Sequence, residues 1–294
     1  MIETKRPPQN TRREITDVPS DAGSLALHVW RPQSGRTKGA VFYFHGLQSH
    51  AGWAWEVGPR FADNDVAFYV LDRRGSGISP GDRQDLPDAE TLLQDYIRAV
   101  AQVRAEIGEG VPLSLFGHCL GGSFLAALLQ HPDFDTRYDA AVFCSAWLGK
   151  LHATLDEDGL RALAAERGTQ PWDADLKSSD FTDDPKYRHF IDHDDLAVRT
   201  LTRRSRATLL ELERRYRRPS RTLPEVPFTF VSGMTDPIID LDSAHQAFDA
   251  LVSGRGTITK LPTDKHYLFY TGVADQLVDW MSAHTLLQGL VRDA

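Results

Sequence analysis

Three side chains far apart in the chain have the types that acyl transfer needs: Cys119, Asp236 and His266. Cys119 is the centre of Gly117-His118-Cys119-Leu120-Gly121, a G-x-C-x-G pentapeptide. The apolar "PLSLF" before it has the character of a strand, and "GGSFLAALLQH" after it that of a helix. Glycines on both flanks let the chain bend sharply and pack closely, so the side chain at the tip is presented outward. The helix N-terminus then directs positive partial charge at the sulfur and favours a thiolate. A thiol also needs a base. "FTFVSGMTDPIID" is an apolar run followed by a turn carrying Asp236, and some thirty residues on "TITKLPTDKHYLFY" is a run followed by a loop carrying His266. Both residues fall just past the end of a strand-like run, where open parallel sheets bind their ligands. In that order, His266 takes the thiol proton or pairs with the thiolate, and Asp236 orients the imidazole and stabilises its cation. Asp240, Asp242 and Asp264 are competing acids. Each residue also has a plain reading: an inert buried thiol, a turn-forming Asp before Pro237, a surface-loop histidine. Their joint order and placement outweigh those readings.

Such chemistry develops charge on an oxygen, which needs backbone donors. The N–H of Leu120, directly after the thiol, is one candidate. The N–H of Leu47, in the loop after "VFYFHG", is the other, with His45-Gly46 shaping that loop and Gly46 allowing close approach. His50 in the same loop either lines the pocket or caps the next helix, and pocket lining is narrowly preferred. Trp53, Trp55, Trp147 and Trp172 are ordinary core or walls of an apolar pocket. Trp147 falls just past a strand-like run and so near the expected cleft.

The elements that must hold these residues alternate along the chain. Residues 1 to about 13 form a polar arm expected to be disordered. "REITDV" and "SLALHVW" flank a turn-like "PSDAG" and read as a hairpin. "GAVFYFHG", "VAFYVLDRRGSG", "VPLSLFGH" and "YDAAVFCSAW" are buried-type strands. Helical stretches are expected at about 53 to 64, across "LPDAETLLQDYIRAVAQVRAEIG" with Leu92, Tyr96, Ala99, Val103 and Ile107 on one face, and over the C-terminal "ADQLVDWMSAHTLLQGLV". This alternation predicts an α/β fold, a mostly parallel sheet with helices on both faces, over residues 14–147 and 223–294. Residues 148–222 break it: polar, charged and without a strand-like run, they read as an inserted helical cap.

With 294 residues, 41% apolar and 25% charged, the chain suits one large soluble domain with an insertion. A net charge of −8 argues against a nucleic-acid binder. No apolar run reaches the roughly 18 residues of a membrane span. Two cysteines form no disulfide framework, and the N-terminus lacks a signal-peptide core, so a cytoplasmic location is expected.

"YFHGLQSHAGWAW", "LDRRGSGISPGDR", "FGHCLGG", "SGMTDPII" and "DKHYLFY" together resemble the successive landmarks of the α/β-hydrolase superfamily. The nearest likeness is to the monoacylglycerol-lipase-like or lysophospholipase-like hydrolases, the serine aminopeptidase S33 group. The likeness runs from about residue 13 to the C-terminus. It implies an eight-stranded sheet, a helical cap after the sixth strand, cleavage of carboxylic esters of lipids or small alcohols, in some members of thioesters or amides, and no metal or organic cofactor. The pattern has serine where this chain has Cys119.

Sulfur changes the chemistry. A free thiol is only about a few per cent ionised at neutral pH, but a histidine cation and a helix N-terminus depress its pKa. Attack on an ester or thioester leaves an acyl-thioester enzyme. A simple alkyl ester suits a thiolate poorly, because the thiolate leaves the tetrahedral adduct more readily than an alkoxide does. Thioesters, activated esters and transfer to another acceptor are therefore favoured. The expected activity is an esterase or thioesterase acting on an apolar or activated acyl substrate. The alternatives are an acyltransferase or cyclase using an amine or alcohol acceptor, and a non-catalytic binding protein of the same fold. Residues 203–221 carry eight arginines (Arg203, Arg204, Arg206, Arg214, Arg215, Arg217, Arg218 and Arg221) around an apolar stripe of Leu209, Leu212 and Tyr216. That is a solvated helix face, or a dock for an acyl carrier protein or a phosphate-bearing thioester.

Overall fold

A computed structural model describes residues 13–292, so the N-terminal arm lies outside the described residues apart from Arg13, which begins the first strand. Eight strands form the main sheet: β1 (Arg13–Ser20), β2 (Gly23–Trp30), β3 (Gly39–Phe44), β4 (Val66–Leu71), β5 (Leu113–His118), β6 (Ala140–Cys144), β9 (Phe228–Gly233) and β10 (Thr257–Leu261). Their order is β1-β2-β4-β3-β5-β6-β9-β10. β1 and β2 form the expected antiparallel hairpin, and β2 joins β4 antiparallel. From β4 to β10 every pairing is parallel, which makes this the mostly parallel α/β sheet of an α/β-hydrolase fold.

The apolar runs are buried on both faces because side chains alternate across a strand. Ala40, Phe42 and Phe44 of β3 enter one core, and Val41 and Tyr43 enter the other. The first core is covered by α2 (Ala89–Ile107), α3 (Leu120–Leu129) and α9 (Leu241–Leu251), the second by α1 (Val57–Asp63) and α10 (Ala274–Arg292). α2 buries Leu92, Tyr96, Ala99 and Val103 as its spacing requires. Asp88 starts it by accepting from the Thr91 N–H at 2.8 Å, and Gly108 at φ 76° ends it.

Two expectations are corrected. The helix read over about 53 to 64 is split into a 3-10 turn, Ala51–Ala54, and α1. The His50 ring accepts from the Gly52 N–H at 3.0 Å and tightens the first turn into a separate element. Residues 148–222 hold α4 (Lys150–Thr154), α5 (Glu157–Ala164), α6 (Ser178–Phe181), α7 (Pro185–His193) and α8 (Arg203–Arg217), but also two short strands. β7 (Pro171–Asp173) and β8 (Thr200–Thr202) pair antiparallel. With three residues each they are too short for a period-two pattern to show.

Candidate active site

The loops at the C-terminal ends of β3, β5, β6, β9 and β10 meet around Cys119. β5 ends at His118 and α3 begins at Leu120, so Cys119 is the whole turn between them and takes φ 52°, ψ −124°. A left-handed φ on a residue other than glycine is strained and persists only where the surroundings enforce it. Three glycines do so. A Cβ on Gly121 would lie 1.9 Å from the Phe44 carbonyl oxygen, one on Gly117 2.8 Å from the Gly121 carbonyl oxygen, and one on Gly122 2.4 Å from Cβ of Ala146. Cys119 is itself pinned, its N–H donating to the Cys144 carbonyl at 3.1 Å and its carbonyl accepting from the Trp147 N–H at 2.8 Å.

His266 and Asp236 converge on the same point. His266 Nδ1–H faces both Asp236 oxygens, at 3.0 and 2.9 Å, with both side chains fully buried. The same Asp236 Oδ1 accepts from the N–H groups of Ile238 and Ile239, each at 2.9 Å, so the carboxylate is fixed as an acceptor. Of the competing acids, Asp240 instead caps α9 through the Ser243 N–H, and Asp242 and Asp264 are exposed. His266 Nε2 is buried without an aligned hydrogen-bond partner, and it lowers the Cys119 pKa first through its charge.

The electrostatics follow from this packing. Burial works against a charged imidazole, but Asp236 and the Cys119 thiolate outweigh it and push the His266 pKa up to about 10. Burial likewise raises the thiol. The His266 cation and the Leu120 N–H outweigh that, so Cys119 falls below the ordinary thiol range. Asp236 is held below the usual carboxylate range, its burial outweighed by His266 and the two N–H donors. Each of the three groups is thus shifted toward its charged form by its neighbours.

Leu47 and Leu120 are both buried, and the Leu120 N–H reaches the Cys119 sulfur. A Cβ on Gly46 would stand 3.2 Å from Cβ and 3.7 Å from Sγ of Cys119, so the Leu47 loop passes directly against the thiol. Arg73, not singled out in the sequence, shapes that loop. Its buried guanidinium donates to the carbonyls of Gly46 at 3.0 Å and Leu47 at 2.8 Å. Asp72 beside it is buried too and accepts from the N–H groups of Ala51 at 2.7 Å and Ile78 at 2.9 Å. Two charges directly after a wholly apolar strand were the available signal. His118 was likewise passed over: its Nε2–H donates to the His266 carbonyl at 3.2 Å, and burial pushes its pKa down to about 3, so it supports the loop as a neutral ring.

The tryptophans and His50 divide. Trp147 is buried against the turn, with Lys150 Nζ 4.7 Å from its ring centre. Trp53 is fully buried, stacks on Tyr270 and donates from Nε1 to Asp194 at 2.7 Å. His50 caps the 3-10 turn through Nδ1 and donates from Nε2 to Asp194 at 3.0 Å. Trp55 is 41% exposed beneath Lys186, and Trp172 lies under Arg206. The insertion also holds the histidine loop, since the His266 N–H donates to the Asp180 carbonyl at 2.9 Å and the Tyr267 N–H to that of Phe181 at 3.2 Å.

A strained turn between strand and helix, an acid and a histidine after later strands, and a glycine-bearing loop against the thiol define the site of an α/β-hydrolase-type protein. The model of the serine aminopeptidase S33 family matches residues 35–271, and the chain belongs to that family. It is 33% identical over 137 residues to a monoglyceride lipase of Rattus norvegicus, covering 45% of this chain and 44% of that protein. It is 30% identical over 118 residues to a monoacylglycerol lipase of Mycolicibacterium smegmatis, covering 40% and 41%. The matched stretch thus spans less than half the length of these relatives. In fold, the chain superposes on a soluble variant of the monoglyceride lipase from Saccharomyces cerevisiae with a TM-score of 0.79 at 17% identity, covering 96% of this chain and 98% of that one.

Proposed function

We propose that the chain is an acyl-transferring hydrolase whose Cys119 forms an acyl-thioester with a lipid-like or activated acyl substrate. The supporting observation is the arrangement itself: a thiol below its ordinary pKa, on a strained turn, beside a histidine raised to about 10 by a buried aspartate. In this reading the thiolate attacks the acyl carbon and forms the C–S bond. The carbonyl electron pair moves to oxygen, held by the N–H groups of Leu47 and Leu120. Collapse expels the alcohol or thiol, which takes its proton from His266 Nε2. The now neutral imidazole removes a proton from water, an amine or an alcohol as that acceptor attacks the thioester, and the thiolate leaves. Asp236 keeps Nδ1 protonated throughout.

The naming of its relatives as monoglyceride and monoacylglycerol lipases supports ester bonds and an apolar acyl group. Residues 148–222 serve as a cap in this reading, and Trp53 and Trp147 back the acyl pocket with His50. Transfer to an amine or alcohol is the second reading. It is favoured by the enclosure of the thiol, 3% exposed, because a thioester shielded from water survives to meet another acceptor. Both cysteines are free and buried, in accord with a reducing, cytoplasmic location, and no helix among the described residues is long and apolar enough to cross a membrane. Turnover of an alkyl ester and a thioester with the same acyl chain tests the proposal. The thioester is expected to react faster, and Cys119→Ala to abolish both reactions. An alkyl ester cleaved equally well by Cys119→Ala would sink it.

A further inference from the structure

The eight arginines of residues 203–221 separate into two groups. Arg203 pairs with Glu166 at 3.3 Å, Arg204 with Asp85 at 2.9 Å, and Arg215 with Glu90 at 2.9 Å. Arg206 lies over Trp172, and Arg221 donates to the Phe134 carbonyl at 2.8 Å. Arg214, Arg217 and Arg218 have no ion pair or hydrogen bond among the described residues. These three exposed guanidiniums line one open concavity of about 830 Å³, together with Arg161, His152 and Glu157. Glu157 is 92% exposed and already faces Arg161 at 3.7 Å. The nearby carboxylate of Glu213 is buried and accepts from the Leu151 and His152 N–H groups and the His152 ring.

Arg214 and Arg217 lie three positions apart in the last turn of α8 and Arg218 caps its end, so three like charges repel there. The C-terminal end of the helix dipole offsets part of that repulsion. Yet in a chain of net charge −8, carboxylates to complete the neutralisation are plentiful, and three neighbouring arginines have found them. Arg217 links the concavity to the segment that follows β6. Arg217 Nη1 is 3.3 Å from where a Cβ of Gly149 would stand, and Gly149 is two residues, at most about 7 Å of chain, from Trp147, which bonds Cys119.

We infer that Arg214, Arg217 and Arg218 form a binding site for a phosphate or diphosphate group on the leaving-group side of a small acyl donor. Guanidinium forks bind phosphate bidentately and stay charged at every physiological pH. The phosphate site stands on the arginine geometry alone. Its link to an acyl donor rests on the reading of Cys119.

Calorimetric titration of the intact protein with inorganic pyrophosphate tests the site without turnover. Binding is expected in wild type and in Cys119→Ala alike, weakened at least tenfold in Arg217→Ala/Arg218→Ala, and unchanged in Arg203→Ala, which removes another exposed but paired charge. No binding, or equal weakening by Arg203→Ala, overturns the assignment. So does binding of an acidic carrier protein that pyrophosphate does not displace. For the donor link, the KM of an acyl-coenzyme A thioester is expected to lie about tenfold below that of the same acyl group on unphosphorylated pantetheine, with the gap closed by the double variant. Equal KM values in wild type overturn the link. Turnover of neither thioester, with pyrophosphate still bound, refutes the Cys119 reading and leaves the phosphate site intact.

Discussion

At the residue scale, the central feature is that Cys119 and His266 each shift the other toward its charged form. The thiol is lowered from its ordinary value of 9.0, chiefly by the His266 charge working against burial, and the imidazole is raised to about 10. Alkylation of Cys119 by iodoacetamide is therefore expected to set in below pH 9, and Asp236→Asn to lower the pH at which His266 loses its proton, as pH-dependent rates will show. The pKa shifts also bear on stability. A raised His266 contributes fully below about 6.5 and loses that contribution as the pH rises through about 10. A depressed Asp236 contributes above about 3.8 and loses it as the pH falls through its lower folded value. The gap in Tm between wild type and Asp236→Asn should thus be widest between about pH 4 and 6.5 and narrow toward pH 10. A gap that widens toward pH 10 would contradict the assignment. Cys119→Ser is expected to shift the preference from thioesters toward alkyl esters, because an alkoxide is no better a leaving group than the alcohol it displaces.

At the scale of elements, the turn between β5 and α3 depends on what its glycines leave out. Gly121→Ala places a methyl 1.9 Å from a backbone oxygen that cannot retreat, so loss of the folded state is expected, read as a collapse of thermal stability. Arg73 acts on the neighbouring loop. Arg73→Met should lower acyl turnover by about 10²-fold, the scale of one lost oxyanion donor, while Cys119 still alkylates in protein that circular dichroism shows to be folded. The strands, the glycine-flanked turn and the order of Cys119, Asp236 and His266 were legible in the sequence because each is a local pattern: an apolar run, a breaker, a reactive residue. Arg73 and Asp194 were not. Their partners lie 26 and 141 residues away, and no periodicity marks a charged group folded inward onto carbonyls or an indole. The β7–β8 pair was missed for a related reason, since pairing across the insertion holds it together.

At the scale of the whole molecule, the insertion is joined to both loops of the proposed active site. Asp194 binds His50 and Trp53 beyond Leu47, the Val198 N–H donates to the Gln48 carbonyl at 3.2 Å, and the carbonyls of Asp180 and Phe181 hold the His266 loop. Cys119 is 3% exposed, and in the proposed reading the insertion is the segment that shifts to admit a substrate. Asp194→Ala should therefore speed alkylation by a bulky maleimide more than by iodoacetamide, and raise KM for a long acyl chain. Equal acceleration by both reagents would show that the insertion does not control entry. The same enclosure decides whether the acyl group meets water or another acceptor.

The most direct test of an acyl-thioester on Cys119 is intact-protein mass spectrometry after brief mixing with acyl thioesters and activated esters, with and without an amine or alcohol. The expected result is one acyl adduct, absent in Cys119→Ala and released on turnover. Release quickened by the acceptor marks a transferase, and release at the same rate in water alone marks a hydrolase. Substrate turnover with no adduct in wild type even at the earliest times, or an adduct that persists in Cys119→Ala, would contradict the role given to Cys119.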